Sequence, residues 1–291
     1  MHIRTIGVMS PGDMGQAIAA RLRQAGFSVH TALDRRSARS KALAREAGLT
    51  DVGTIEKLVA GCDVILSIMN PAAALEFARE AARAIAAGHG KPLFVDCNAI
   101  SPVTLQSVEA AIVTAGAICV DGAIIGSPPR GDAVVNLYFS GPGAQALEAL
   151  AAPQLRVRIL GPRNGEASAL KMCYGAMNKG MQALLLETLM AARRLGVEEI
   201  FEAQMRETRA DLHDWMLKMA PIMPPKAYRW VPEMLQIAQT LESTGMTPRL
   251  FQGAADVFEM VAATELGRQT PEGRDKTVDG REVIRRLADG R

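Results

Sequence analysis

The fold is decided near the N-terminus by the stretch Ile3-Arg4-Thr5-Ile6-Gly7-Val8-Met9-Ser10-Pro11-Gly12-Asp13-Met14-Gly15. Its first seven residues are mostly apolar and typical of a buried strand, and the residues from Met14 onward have the apolar spacing of a helix. The turn between them has the spacing G-x-G-x-x-G of a dinucleotide-binding turn, with Ser10 in place of the first glycine. Gly12 would let the backbone approach a pyrophosphate at the helix N-terminus, and Gly15 would let helix and strand pack closely. The alternative is a glycine-bearing turn that binds nothing.

The first half of the chain repeats this alternation of a short apolar run with an alanine-rich helical stretch. This rhythm predicts a parallel sheet covered on both faces. The expected helices start near Met14, Ser37, Ala72 and Pro102. The expected strands are Ile3–Met9, Phe27–Leu33, Asp63–Ile68, Leu93–Cys97, Ala117–Gly122, Ala133–Ser140 and Arg156–Leu160. We therefore predict an α/β fold, a Rossmann-type doubly wound parallel sheet over residues 1–162 that binds NAD or NADP.

After Gly161-Pro162 the pattern becomes almost entirely helical, which predicts an all-helical domain over residues 163–291. It begins with one long interdomain helix from Glu166 to about Leu195, apolar around most of its circumference. Such a helix must be covered on several sides, either by the following helices or by a second subunit. A role in substrate binding and dimerisation is predicted for this domain. The tail from Gly267 is polar and arginine-rich and is expected to be frayed or exposed.

Composition excludes several classes of protein. The 291 residues carry 33 Lys and Arg against 31 Asp and Glu, a net charge of +2 that argues against a nucleic-acid or membrane partner. The four cysteines are widely spaced, and the four histidines have no metal spacing, so no disulfide framework and no metal site is predicted. These features, with no apolar run long enough to cross a membrane, predict a cytoplasmic protein.

The end of the second predicted strand bears on the choice of cofactor. It reads Leu33-Asp34-Arg35-Arg36-Ser37, where Arg35, Arg36 and Ser37 suit a 2′-phosphate because guanidinium groups pair with phosphate bidentately. Asp34 instead suits the ribose hydroxyl of NAD. NADP is the preferred prediction, NAD stays possible, and a solvated charged turn is the alternative.

Four segments in order along the chain resemble the landmarks of the β-hydroxyacid dehydrogenases, which include 3-hydroxyisobutyrate and 6-phosphogluconate dehydrogenases and the related imine reductases. They are the turn with Met14-Gly15, Ser67-Ile68-Met69-Asn70-Pro71, Asp96-Cys97-Asn98-Ala99-Ile100-Ser101-Pro102 and Gly165-Glu166-Ala167-Ser168-Ala169-Leu170-Lys171. The last third looks like a subgroup with its own helical C-terminal domain. The resemblance implies hydride transfer between a nicotinamide and a hydroxyl-bearing carbon, with Lys171 as general acid and base and Asn98 orienting a substrate oxygen. The cofactor-binding residues it implies, with those of the turns above, are Ser10, Pro11, Gly12, Asp13, Met14, Gly15, Arg35, Arg36, Ser37, Met69, Asn70 and Asn98.

The residues around Lys171 support this role independently. Lys171 shares a helix face with Ser168, Gly175, Asn178 and Gln182, a polar stripe on an otherwise apolar helix. A stripe of this kind is either solvated or lines a cleft. In a cleft, loss of water would lower the pKa of the lysine toward the range that suits proton exchange with an alcohol.

Two departures from the family pattern narrow the substrate. Ile125 stands where the substrate loop usually carries serine, and Gly175 stands where the helix usually carries asparagine. Standard small hydroxyacids are therefore in doubt. The predicted substrate-binding residues are Ile125, Gly126, Ser127, Tyr174, Asn178, Arg229 and Trp230, with an Arg229–Glu233 pair between successive helical turns as the alternative for Arg229.

The sequence thus predicts an NADP-dependent oxidoreductase acting on the CH–OH group of a β-hydroxyacid-like molecule that is larger or less polar than hydroxyisobutyrate, in a homodimer whose cleft holds cofactor and substrate. Two alternatives stay open. One is an imine reductase or reductive aminase on the same scaffold, which the retained Lys171 argues against. The other is a sensor that binds NADPH without chemistry, for which a lysine in a cleft would be unusual.

Overall fold

A computed structural model describes residues 2–290, which form two compact units that meet between Met172 and Cys173. The first unit contains one eight-stranded sheet with the strand order 3-2-1-4-5-6-7-8. Its strands are β1 Thr5–Met9, β2 Ser28–Thr31, β3 Thr50–Asp51, β4 Val64–Ser67, β5 Leu93–Asp96, β6 Cys119–Ile125, β7 Val135–Ser140 and β8 Leu155–Ile159. The first six strands are parallel in the order of a doubly wound dinucleotide-binding fold.

The predicted strands are all present, and no predicted strand end lies more than three residues from the observed one. Strand β6 extends past the predicted end, to Ile125, because it continues into an antiparallel pair with β7. The two-residue strand β3 was not predicted, since Thr50-Asp51 is too short and exposed to leave an apolar pattern. β7 and β8 then extend the sheet as a parallel pair.

Helices cover both faces of the sheet, as the alternating pattern predicts. Val95 of β5 lies in one apolar cluster with Leu22, and the neighbouring Phe94 lies in the other with Phe77, whose ring centroid is 5.8 Å away. This alternation follows from the two-residue repeat of a strand. The helices are α1 Asp13–Gln24, α2 Ala38–Glu46, α3 Ile55–Gly61, α4 Ala74–Ala86 and α5 Pro102–Thr114, with 3₁₀ turns at Pro71–Ala73 and Ala144–Leu150.

The long helix predicted from Glu166 is present but is not uniform. It consists of α6 Glu166–Gly175, a π-helical turn Ala176–Gly180 and α7 Met181–Arg194. The π turn follows Gly175 and ends at Gly180, the two glycines of this helix. A Cβ at Gly180 would lie 2.7 Å from the ring of Phe251, so the small residue allows another helix to approach closely here.

The second unit is helical throughout, as predicted. Its further helices are α8 Glu198–Thr208, α9 Ala210–Met219, α10 Ala227–Ser243, α11 Arg249–Ala262, α12 Glu265–Arg268 and α13 Gly280–Ala288, with a 3₁₀ turn at Pro224–Lys226. Among residues 2–290, no helix combines the length and the apolar character that crossing a bilayer requires.

The prediction of a frayed or exposed tail from Gly267 is wrong for Gly280–Ala288, which form a packed helix, whereas most of residues 268–279 are exposed or half-buried. Helix α13 buries Val283, Ile284 and Leu287, which recur at helical spacing between arginines. The Asp279 side chain caps this helix by accepting the Glu282 backbone N–H at 2.9 Å. The high arginine content hid the amphipathic pattern of this helix, because three large apolar residues in nine are enough for one buried face.

Candidate functional site

The turn between β1 and α1 has the geometry that its glycines predict. The Gly12 N–H donates to the Ser10 carbonyl at 2.8 Å, and the Ser10 N–H donates to the Ile68 carbonyl at 2.8 Å, so the turn is held against the end of β4. A Cβ at Gly15 would lie 2.1 Å from the Ser10 carbonyl oxygen, whereas one at Gly12 would meet nothing within 4 Å. Gly15 is therefore required for packing, and Gly12 keeps the space at the helix N-terminus open.

A cavity of about 520 Å³ lies at the carboxyl ends of the first strands. Asp34, Arg35, Arg36 and Met69 line it together, and their contact with a cofactor stays a prediction. Arg35 has a φ of 60°, a left-handed conformation in the turn after β2. Ser37 caps α2, because its hydroxyl oxygen accepts the Ser40 N–H at 3.2 Å.

These residues fit a dinucleotide. The N-terminus of α1 and the open space at Gly12 suit a diphosphate, and two guanidinium groups border the cavity at the end of β2. Asp13, the first residue of α1, is almost buried, and its carboxylate pairs with Arg130 at 2.7 Å. Arg130 was not among the predicted site residues, because 117 residues separate it from Asp13.

Asn98 lies at the centre of a buried hydrogen-bond network at the end of β5. Its side chain is bonded on both sides, because Nδ2 donates to Ser67 Oγ at 2.8 Å and to Asp96 Oδ2 at 2.9 Å, and Oδ1 accepts the Met69 N–H at 2.6 Å. Asn98 is only 2% exposed, and both amide hydrogens are used. In this structure it ties the ends of β4 and β5 together, and its predicted contact with a substrate oxygen stays a prediction. Asn70 likewise caps the 3₁₀ turn by accepting the Ala72 N–H.

Asp96 is the ionisable member of this network. Burial raises the pKa of its carboxyl to about 7, although the hydrogen bonds from the Asn98 backbone and side chain act in the opposite direction. Burial also raises the pKa of the neighbouring Cys97 thiol well above its usual range, so Cys97 is not a candidate nucleophile.

Lys171 points at the end of β6. Its Nζ donates a hydrogen bond of 2.5 Å to the Ile124 carbonyl oxygen, and its side chain is half-buried. Ile125 is buried in the next position, and Gly126 and Ser127 follow as exposed residues. The structure therefore brings the predicted general acid and base together with the loop predicted to bind the substrate.

The helix that carries Lys171 is fixed to β6 by Asp121. The Asp121 carboxylate accepts the backbone N–H groups of Gly165 and Ser168 at 2.9 Å, the Ser168 hydroxyl at 2.5 Å and the Ser140 hydroxyl at 3.1 Å. A carboxylate at a helix N-terminus is stabilised by the helix dipole. Burial raises the pKa of Asp121, whereas the hydrogen bonds from Ser168 favour its charged form. Ser168, which the sequence places on the face of Lys171, thus orients the helix.

The predicted residues of the second unit have separate surroundings. Tyr174 is exposed, and the Asn178 carbonyl accepts the Gln182 side-chain amide at 3.2 Å. The Arg229 guanidinium lies 5.9 Å from the ring of Tyr228, and Trp230 packs edge-on against Phe258 with ring centroids 5.1 Å apart. Their contact with a substrate stays a prediction.

A buried ion pair in the second unit was not predicted. Lys179 Nζ donates to Glu233 Oε1, with side-chain exposures of 18% and 7%, and also lies 5.5 Å from the centre of the Trp230 ring. Glu233 thus pairs with Lys179, where the sequence suggested Arg229. A Cβ at Gly175 would lie 3.3 Å from the same Glu233 oxygen. A carboxylate therefore stands beside the helix position where the resemblance places an asparagine.

Comparison with known proteins identifies a family for the N-terminal part of the chain. Residues 5–151 match the family described as NAD binding domain of 6-phosphogluconate dehydrogenase, and residues 192–261 match a domain of unknown function (DUF1932). The chain is similar to the solved structure of the conserved protein MTH1747, whose description reports structural similarity with 3-hydroxyacid dehydrogenases. The identity is 30% and the TM-score 0.64, covering 89% of this chain and 96% of that one.

Two further solved structures share the fold at lower identity. One is a 3-hydroxyisobutyrate dehydrogenase from Mycobacterium tuberculosis with L-serine, 19% identical, with a TM-score of 0.71 over 98% of this chain and 99% of that one. The other is an imine reductase from Myxococcus stipitatus in complex with NAD⁺, 19% identical, with a TM-score of 0.55 over 99% of each chain. At these identities the likeness establishes the fold alone.

Proposed function

Because the chain belongs to the family that carries the NAD binding domain of 6-phosphogluconate dehydrogenase, we propose that it is an NADP-dependent oxidoreductase acting on a β-hydroxyacid-like substrate. The observation that carries this proposal is the position of Lys171. Its amine lies at the carboxyl end of β6, at the edge of the sheet where open α/β folds bind their ligands.

The dinucleotide would be held by the N-terminus of α1 and by the residues of the cavity at the end of β2. When bound, it would supply or accept a hydride at its nicotinamide. Lys171 Nζ would take the proton of the substrate hydroxyl during oxidation and return it to the carbonyl oxygen during reduction, while the hydride carries both electrons to or from the nicotinamide. The Ile124 carbonyl holds the amine in place for this exchange, and Asp121 fixes the helix that carries it.

NADP is the proposed cofactor because Arg35 and Arg36 border the cavity together. A 2′-phosphate carries a charge that two guanidinium groups neutralise, whereas the 2′-hydroxyl of NAD would leave them unpaired by the ligand. Asp34 lines the same cavity and would favour NAD. The measured preference between the two cofactors will therefore report which of these charges dominates.

The proposed substrate is larger or less polar than hydroxyisobutyrate. Ile125 is buried directly beyond the carbonyl that holds Lys171, at the position where the family pattern has a serine hydroxyl. An apolar side chain there offers no hydrogen bond to a carboxylate. The exposed residues Gly126 and Ser127 are the proposed polar contacts on this loop.

A second candidate function is reduction of imines on the same scaffold. The specific observation in its favour is that Ile125 and Gly175 both lack the polar side chains that a hydroxyacid would use. A third candidate, a sensor that binds NADPH without chemistry, gives no role to Lys171.

We also propose that the protein is a homodimer. Tyr174, Met177 and Leu184 expose large apolar side chains at helical spacing along the long helix, and Met177 is 67% exposed. Surfaces of this kind mark interaction sites. The cytoplasmic location predicted from the sequence stays a prediction.

The experiment that tests the function follows NADPH oxidation with a panel of β-keto acids and aldehydes, each with and without ammonia or a primary amine. The proposal expects turnover that is independent of the amine. Turnover only with amine would assign the protein to the imine reductases, and NADPH binding without turnover would favour the sensor.

A further inference from the structure

The loop between β6 and β7 reaches the N-terminus of α1 through one arginine. Arg130 Nη2 lies 2.7 Å from Asp13 Oδ1 and 3.3 Å from the Asp13 carbonyl oxygen. Asp13 is the first residue of α1 and follows Gly12, the residue whose missing side chain leaves the helix N-terminus open. The guanidinium group therefore lies beside the first residue of α1, next to the open space where the cofactor's diphosphate is proposed to bind.

Asp13 makes this place electrostatically unusual. A carboxylate at the first position stabilises the helix itself, but it repels a diphosphate brought to the same N–H groups. Asp13 is only 9% exposed, so water screens its charge weakly. A diphosphate site here needs a cation beside the carboxylate, and Arg130 supplies one.

Arg130 is also placed to do more than neutralise Asp13. The contacts to Asp13 use Nη2, and a guanidinium carries five N–H donors. Its side chain is 53% exposed, which leaves part of the group open to a ligand. Arginine pairs with phosphate through two parallel hydrogen bonds, which adds geometric specificity to charge.

The loop that carries Arg130 is held on α1 by a second arginine. Arg21 Nε donates to the Pro129 carbonyl at 2.8 Å, and Arg21 Nη2 donates to the Gly131 carbonyl at 2.8 Å. These two hydrogen bonds hold the backbone on either side of Arg130. The guanidinium is therefore positioned before any ligand arrives, which reduces the ordering cost of binding.

We propose that Arg130 binds the diphosphate of the dinucleotide, and that Asp13 holds its guanidinium in position until the cofactor arrives. The inference rests on the proposed function, since it concerns the same cofactor. It adds a residue from the β6–β7 loop to a site that the sequence pattern assigns to the β1–α1 turn. Binding of the diphosphate by Arg130 makes and breaks no covalent bond.

The test measures equilibrium dissociation constants of NADPH for the wild type, Arg130→Gln and Arg21→Gln. We expect Arg130→Gln to weaken NADPH binding by about 10- to 100-fold, since a hydrogen-bonded charge contributes about 1.5–3 kcal/mol. Arg21→Gln is the matched comparison, because it releases the backbone of the same loop but keeps the Arg130 guanidinium beside Asp13. We expect it to weaken NADPH binding by about threefold, clearly less than Arg130→Gln does.

Three further measurements distinguish an effect of charge from an effect of structure. Adenosine 2′-phosphate lacks the diphosphate, so its affinity should be the same in the wild type and Arg130→Gln. Adding Asp13→Asn to Arg130→Gln should restore part of the NADPH affinity, because it removes the repelling carboxylate. Arg130→Lys keeps the positive charge but not the planar set of N–H donors. Its NADPH affinity should therefore fall between those of the wild type and Arg130→Gln.

The outcomes separate this inference from the proposed function. If the wild type binds neither NADPH nor NADH, the proposed function fails together with the inference. If the wild type binds NADPH and Arg130→Gln binds it equally well, only the inference is overturned. Equal losses in Arg130→Gln and Arg21→Gln would also overturn it, because loop placement would then explain the effect.

Discussion

The Nζ of Lys171 donates a hydrogen bond of 2.5 Å to the carbonyl oxygen of Ile124, which joins the long helix to the carboxyl end of β6. Strand β6 extends four residues beyond Asp121, the residue paired with the end of β5, so this contact lies past the edge of the neighbouring strand. A lysine amine held here is near the exposed loop at Gly126 and Ser127. The chemistry proposed for the protein depends on this relationship.

The two glycines of the first turn should respond differently to the same change. Gly12→Ala adds a methyl group where nothing lies within 4 Å, so the variant should fold with wild-type stability and lose NADPH affinity by at least tenfold. Gly15→Ala places a Cβ 2.1 Å from the Ser10 carbonyl and should be destabilised, because the backbone must shift. Urea unfolding and NADPH titration of both variants check this. Full NADPH affinity in Gly12→Ala would contradict the assigned diphosphate position.

The arginines at the end of β2 should determine the cofactor preference. Arg36→Gln and Arg35→Asn should each weaken NADPH binding by about 10- to 100-fold and change NADH binding little, since only NADPH carries the 2′-phosphate. Asparagine is chosen at position 35 because it tolerates the left-handed φ of 60°. Dissociation constants for both cofactors measure the effect. Equal losses for NADPH and NADH would show that these arginines do not read the 2′-phosphate.

Asp96 should make the stability of the protein depend on pH. Its folded pKa of about 7 lies above its unfolded value near 3.9, so the folded state keeps a proton that the unfolded state releases. Stability from this group is therefore complete below about pH 4, falls by about 1.4 kcal/mol per pH unit as pH rises toward 7, and then levels off. Asp96→Asn should remove this slope. Free energies of unfolding in urea between pH 5 and 8 test it, and parallel curves for the variant and the wild type would contradict it.

Removing one partner of the ion pair between Lys179 and Glu233 should lower the free energy of unfolding more than removing both partners. Lys179→Met removes the ammonium group that pairs with the buried Glu233 carboxylate and should cost about 3 kcal/mol, the lower end of the usual range because Lys179 keeps some exposure. The double variant Lys179→Met with Glu233→Leu should recover most of that loss. Chemical denaturation of the single and double variants measures both. A double variant as unstable as the single one would contradict this account.

The sequence predicted the elements of the fold well because the signals for them are local. The glycines of the β1–α1 turn, the apolar runs of the strands and Gly175 and Gly180 in the long helix each act within a few residues of themselves. The contacts that the sequence did not reveal join distant positions, such as Asp13 with Arg130. Strand β3 and helix α13 were missed for a different reason. Strand β3 is too short to leave an apolar pattern, and helix α13 is so rich in arginine that its composition suggests an exposed segment.

The candidate site was predicted in part for the same reason. Lys171 and the loop at Ile125 belong to motifs that the resemblance identifies, and the structure brings them together. The roles of Asp96 and Ser67 follow only from the fold, because Asn98 bonds to both across two strands. A buried amide of this kind cannot be distinguished by sequence from one that faces a ligand.

The proposed proton exchange by Lys171 is tested most directly by the turnover of Lys171→Met and Lys171→Arg with the best substrate of the wild type. Methionine keeps the packing of the side-chain stem, and arginine keeps the charge but does not release a proton at ordinary pH. We expect both variants to bind NADPH as the wild type does and to lose about 10²- to 10⁴-fold in kcat. Turnover within threefold of the wild type in either variant, with NADPH binding unchanged, would show that Lys171 does not exchange the proton.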